Sequence, residues 1–251
     1  MLGALQRHPF AVEAYFEWSV VLGFALPTAE IQAHIPACLK VDTFADRWGF
    51  LAVAMVRTRG LRPAGLPRWL GRDFSLLGYR VFVRYRSSSG KELRGLYILR
   101  SETDRRVMKL SGNLFTRYNY ETTDVAWDIR PTEIGIRSQR SGLDALVGLT
   151  DQEPELPNES PFANWKEARR FAGPMPYTFS LRPDLKEMVI IKGVRSNWQP
   201  RPLAVIRSKV GFLERKGLSG ATLANAFVVS DIPYRWEKGR IERLPVDASA
   251  R

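Results

Sequence analysis

Residues 73–85, Asp-Phe-Ser-Leu-Leu-Gly-Tyr-Arg-Val-Phe-Val-Arg-Tyr, carry a two-residue alternation that suits an extended strand. Tyr79, Val81, Val83 and Tyr85 fall on one side, and Arg80, Phe82 and Arg84 on the other. Successive side chains of a strand point to opposite faces. Ser87-Ser88-Ser89-Gly90 reads as a turn, and Leu93 to Arg100 as a second strand, so the pair forms a hairpin. A strand with arginines on one face either lines a groove that receives an anion or presents them to solvent.

The rest of the chain has the same grain. Phe10 to Leu26 reads as one or two strands, and Trp48 to Arg57 as a strand buried on both faces. Two or three strands are expected between Phe115 and Gln139. Others follow at Tyr177–Leu181, Met188–Arg195, Leu203–Leu213 and Ala226–Val229, with a last piece at Ile232–Trp236. Helices are few. Thr28 is placed as the N-cap of a short helix to Ala33, and Ser101-x-x-Asp104 as a capping box for a helix to about Leu110. Ser160-Pro161 should open a third, with Gly173 as its stop. Gly60 to Arg72 reads as a loop, and residues 246–251 as a loose tail. This pattern predicts a mainly β (α+β) chain, an antiparallel β-barrel or sandwich with a few peripheral helices, in one domain over residues 1–251.

Charge narrows the function classes. Of the net +12, residues 57–117 carry +11, from 15 Lys/Arg against four acids. Such a field favours anions: a small carboxylate or phosphate, an acidic surface, or nucleic acid. The aromatics among these cations suit a core better than a stacking groove, and no nucleic-acid recognition motif is present, which argues against nucleic acid. The longest apolar run, Val20 to Leu26, is too short to be a transmembrane segment, and the first residues lack a signal-peptide pattern, which places the chain in the cytoplasm. One cysteine, Cys38, excludes an internal disulfide. With His34 it makes too few ligands for zinc, so no metal is expected. No phosphate loop or nucleophile elbow occurs, and the two histidines give little scope for a Ser-His or Cys-His pair, so no cofactor is assigned.

Tyrosine, lysine, arginine and carboxylate chemistry remains. In Met188–Arg195, Lys192 shares a face with Met188, Ile190 and Val194, and Arg195 shares one with Val189 and Ile191, so one of the two cations faces apolar surroundings. A buried Lys192 would be a candidate nucleophilic amine. Phe115-Thr116-Arg117-Tyr118-Asn119-Tyr120 alternates polar and aromatic groups, and Tyr234-Arg235-Trp236 could close one end of a barrel.

Four segments carry a family resemblance: His8 to Trp18, Gly78 to Tyr85, Arg94 to Leu99, and Phe115 to Tyr120. Together they resemble the bacterial family known as domain of unknown function 2071, which is similar to acetoacetate decarboxylase. The resemblance implies an acetoacetate-decarboxylase-like β-barrel around a small-molecule cavity. The decarboxylase uses a Schiff-base lysine beside a second lysine. Here Arg117 and Tyr118 occupy those places, and arginine stays protonated and forms no imine. An acidic residue and an asparagine frequent in the family fall at Leu76 and Gly78, while Arg80 is kept. The resemblance therefore implies a binder of a small anionic or carbonyl-bearing molecule without the decarboxylase lysines. Arg80 is its anion anchor, and Arg117, Tyr118, Glu17 and Tyr234 are further candidates. Two alternatives are an enzyme of another class using Lys192 or Tyr118, and a module for acidic surfaces using residues 57–117.

Overall fold

The computed structural model describes residues 5–150, 152–171 and 175–245. The chain runs β1 (Val12–Pro27), α1 (Thr28–Gln32), β2 (Lys40–Val41), β3 (Trp48–Pro63), β4 (Arg72–Arg86), β5 (Glu92–Thr103) and α2 (Arg106–Phe115). It continues through β6 (Tyr120–Thr122), β7 (Ala126–Ile129), β8 (Glu133–Ser138), β9 (Leu143–Gly148), α3 (Trp165–Ala168) and β10 (Tyr177–Arg182). The last elements are β11 (Glu187–Arg195), β12 (Arg201–Pro202), β13 (Ala204–Val210), α4 (Gly211–Arg215), β14 (Thr222–Trp236) and β15 (Arg240–Arg243). No helix among the described residues is long and apolar enough to cross a membrane.

The larger sheet follows the order β12-β14-β1-β3-β4-β5-β10-β11-β15, and β11 also pairs with β14, so the path of pairings returns on itself. The expected antiparallel sheet is in fact mixed: β5 runs parallel to β10 and to β6. The cause is topological. After β5 the chain passes through α2 before β6 returns beside β5, and a longer excursion precedes β10; such crossovers bring the chain back in the same direction, which a tight hairpin cannot. The longer excursion supplies β7, β8 and β9, which with β13 form a second, antiparallel sheet.

The alternation in β4 is now explained by two different interiors. Leu77, Tyr79, Val81, Val83 and Tyr85 join the core that also holds Ile134, Ile136, Leu143, Ala145 and Val147 of the second sheet. Tyr79 stacks on Phe212 of α4 with ring centroids 3.8 Å apart, and its hydroxyl donates to buried Glu102. The opposite face of β4 looks into the ring of strands, where Phe82 packs with Phe16, Phe50, Ala54, Phe171 and Phe227.

Several local expectations yield to tertiary pairing. β5 continues to Thr103, so the capping box at Ser101 does not form. Asp104 instead accepts from the Ser75 amide, and α2 begins at Arg106 without a side-chain cap. Thr28 is the first residue of α1 rather than its cap, and its hydroxyl donates to the Arg47 carbonyl. The third helix starts at Trp165, capped by Asn164, not at Ser160. β3 extends through Gly60 to Pro63, into the expected loop. Residues 211–213 turn into α4, and the two pieces expected at 226–236 are one strand. The Gly173 stop and the 246–251 tail lie outside the described residues.

Candidate functional site

A cavity of about 870 Å³ lies on the inner face of the large sheet. Its wall is mostly apolar, with contributions from β1, β3, β4, β5, α2, β11 and β14. The solvent-exposed lining residues are Pro63, Leu70, Arg72, Asp73, Arg105, Arg106 and Val107. They belong to two segments tied together by the reciprocal Ser75–Asp104 backbone and side-chain bonds, which places the mouth there. From Arg72 at the mouth, β4 leads inward past Phe74 and Leu76 to Arg80 and Phe82.

Arg80 is the centre of the site. A register shift between Tyr79 and Arg80 marks a bulge against β5, and such bulges re-aim side chains. The guanidinium folds back over Gly78, where an added Cβ would come within 2.8 Å of Nε. Nε is buried without a hydrogen-bond partner. Burial pulls the Arg80 pKa below its ordinary value, opposed by the nearby Tyr234, Tyr120 and Tyr118.

These three tyrosines come from separate elements. Tyr118 and Tyr120 follow α2, and both pack with Ile98, Val189 and Ile191. Burial holds the Tyr118 phenol well above its usual range, and that of Tyr120 is pushed up to about 12, with Arg80 drawing both back. The Tyr118 hydroxyl lies beside Thr178 without a hydrogen bond of ordinary geometry. The Tyr234 hydroxyl accepts from Arg195 Nη1 at 2.9 Å, and the Arg195 guanidinium also lies over the Trp198 ring. A phenol oxygen that accepts from a guanidinium keeps its own proton free to donate elsewhere. Gly193 leaves the space for that hydroxyl, since an added Cβ would overlap it.

The cavity lining contains six arginines, no lysine and a single carboxylate, Asp73, which is occupied by the Gly60 amide. The site can therefore hold an anion and donate hydrogen bonds to it, but among the described residues it offers no amine for imine formation.

The expected residues separate accordingly. Arg80, Tyr118 and Tyr234 line the cavity. Arg117 does not: it turns outward to Asp184, with N–O 3.2 Å. Glu17 faces Arg57 and Arg59 on the outside of β1 and β3. Lys192 is exposed, 3.8 Å from Glu237, whereas Arg195 on the alternate face lines the cavity. Part of the basic excess is balanced by acids from outside the segment: Glu13, Glu17, Asp42, Glu121 and Asp184 pair with Arg62, Arg57, Arg59, Arg84, Arg94, Lys109 and Arg117. Tyr120, Arg195 and His8 are lining residues that the sequence reading did not select. The alternation in 115–120 pointed to Tyr120, and that in 188–195 to Arg195. His8 had no such signal.

His8 is buried in a left-handed backbone conformation (φ 52°), with Nδ1 unpartnered. Burial lowers its pKa from 6.5. The unfolded chain therefore binds this proton more readily, so the His8 contribution is present above about pH 6.5 and is lost as pH falls below it. The wild type should lose up to ~1.4 kcal/mol per pH unit more than His8→Asn over that window. Parallel urea-denaturation curves for the two proteins between pH 7 and pH 5 would refute this.

No curated protein sequence matches the chain. Solved structures do match in fold. An acetoacetate decarboxylase-like enzyme from Sphingomonas wittichii RW1 aligns over 94% of this chain and 93% of its own, with TM-score 0.59 and 13% identity. Acetoacetate decarboxylase from Legionella pneumophila aligns over 93% and 88%, with TM-score 0.61 and 10% identity. The enduracididine biosynthesis enzyme MppR, solved with pyruvate, aligns over 93% and 90%, with TM-score 0.55 and 9% identity. The chain thus has an acetoacetate decarboxylase-like fold. A family model described as an uncharacterized conserved protein matches residues 16–231, and the chain belongs to that family, domain of unknown function 2071.

Proposed function

We propose that this chain is a one-domain barrel protein that binds a small anionic, carbonyl- or carboxylate-bearing molecule in the cavity, with the anion against Arg80. The observation that carries this reading is Arg80 itself: a guanidinium in a mostly apolar cavity, facing three tyrosines and, among the described residues, paired with no carboxylate. A buried charge without a counter-ion is costly to maintain, and a ligand carboxylate would supply the missing partner with bidentate geometry. Tyr234, with its oxygen occupied by Arg195, would donate to the ligand, and Tyr118 and Tyr120 would remain neutral donors at physiological pH. The pyruvate in the structure of MppR, a fold neighbour, has the chemistry proposed here.

Calorimetric titration with pyruvate, acetoacetate and acetone tests this reading. The two carboxylates should bind and the neutral ketone should not. Arg117→Ala should leave each Kd within about twofold, because its partner is Asp184 on the surface. Equal binding of acetone, or loss of carboxylate binding on changing Arg117, would refute it.

A second reading has a specific observation behind it. A phenol that accepts from Arg195 while donating to a substrate carbonyl would stabilise an enolate, and the His8 imidazole, which lines the cavity with Nδ1 unpartnered, would take the α-proton, so the pair supports proton-transfer chemistry next to a carbonyl without a lysine. Solvent deuterium exchange into pyruvate, abolished in Tyr234→Phe, would be its signature.

A further inference from the structure

We infer that the ligand is an amphipathic carboxylate with a long apolar body, an acyl-chain acid rather than a short keto acid alone. This rests on the anion site proposed above and adds the chemistry of everything around it. The cavity, at about 870 Å³, is at the upper end of the range for drug-sized ligands, far more than a three- or four-carbon acid can fill. The guanidinium of Arg80 folds back over Gly78, six residues along β4 from Arg72 at the mouth, a span of up to ~20 Å. The lining supplies apolar surface from Phe74 and Leu76 of β4 and Met108 and Phe115 of α2, beside the polar Ser101 and Ser111. A short, hydrated anion would leave this surface wet, whereas an acyl chain would cover it.

The mouth combines charge, from Arg72, Asp73, Arg105 and Arg106, with apolar surface at and beside it. Val107 and Leu110 of α2 are 65% and 71% exposed, and Trp69, in the turn leading to the mouth segment, is 80% exposed. An entrance with apolar groups held in water suits a ligand that carries apolar surface of its own.

The test is a homologous series of straight-chain carboxylates from C4 to C14, below their micellar concentrations, with decanol as the uncharged control. Affinity should rise by about fourfold per added methylene across the middle of the series. Decanol should bind at least tenfold more weakly than decanoate. Leu76→Trp, which enlarges a half-buried side chain between mouth and Arg80, should move the optimum to shorter chains. Affinity independent of chain length, with binding that still requires the carboxylate, would overturn this inference and leave the anion site standing. Length-dependent binding that does not distinguish decanol from decanoate would overturn the anion site and, with it, this inference. An unchanged length optimum in Leu76→Trp would also overturn it.

Discussion

Arg80→Met should lower affinity for a carboxylate ligand by about 30- to 150-fold and, at the same time, leave the unliganded protein as stable as before or more so. The first effect follows from the loss of a charge-assisted, bidentate contact, roughly 2–3 kcal/mol. The second follows from its surroundings. Arg80 Nε has no hydrogen-bond partner, and burial pulls the pKa of the group down, which means that the protein carries its charge at a cost. Replacing a buried, uncompensated charge with an apolar side chain of similar length removes that cost. Methionine adapts to irregular space, and the Gly78 backbone beneath it leaves room. Calorimetry gives the affinity, and urea denaturation gives the stability. A variant that loses affinity and also unfolds more easily would show Arg80 to be structural. Arg80→Lys separates charge from shape: it keeps the charge but not the planar fork, so binding should recover only in part.

Asp42→Asn should destabilise the fold by about 3 kcal/mol. The Asp42 side chain is fully buried and accepts from Arg84 Nε at 2.7 Å, while Arg94 and Arg170 converge on the same carboxylate. Arg94 and Arg170 also lie over the Phe171 ring, which packs on Phe50, Phe82 and Phe162. One carboxylate thus holds β2, β4, β5 and the 162–171 segment together. Neutralising it leaves three converging guanidinium groups with only Glu92, on Arg84, as a counter-charge, and breaking a buried pair typically costs 3–5 kcal/mol. The lower end applies because the arginine side chains are 31–47% exposed and can turn to water. A shift in the urea midpoint equivalent to less than ~1 kcal/mol would mean that the cluster behaves as an ordinary surface network. Carboxylate affinity should change little in Asp42→Asn, since Asp42 does not line the cavity. The two variants therefore have opposite signatures.

Two-residue periodicity was legible in this chain because it depends only on neighbouring residues. It placed Tyr79, Val81, Val83 and Tyr85 on one face and Arg80 and Phe82 on the other, and it separated Lys192 from Arg195. Which face meets water was not legible, because that depends on what packs against the strand. For β4, the second sheet covers one face and the cavity lies against the other, so neither is solvated along the central residues. Local capping signals at Ser101 and Ser160 lost to strand pairing and to the Asn164 cap, since a ladder of backbone bonds outweighs one side-chain cap. The pairing of the basic segment with Glu13, Glu17, Asp42, Glu121 and Asp184 joins residues far apart in the chain, so net charge alone overstated its field. The neighbouring Arg117 and Tyr118 show the division most plainly. Their order in the chain sends them to opposite sides, and only the position of Asp184 outside and Arg80 inside gives one a surface ion pair and the other a place in the cavity.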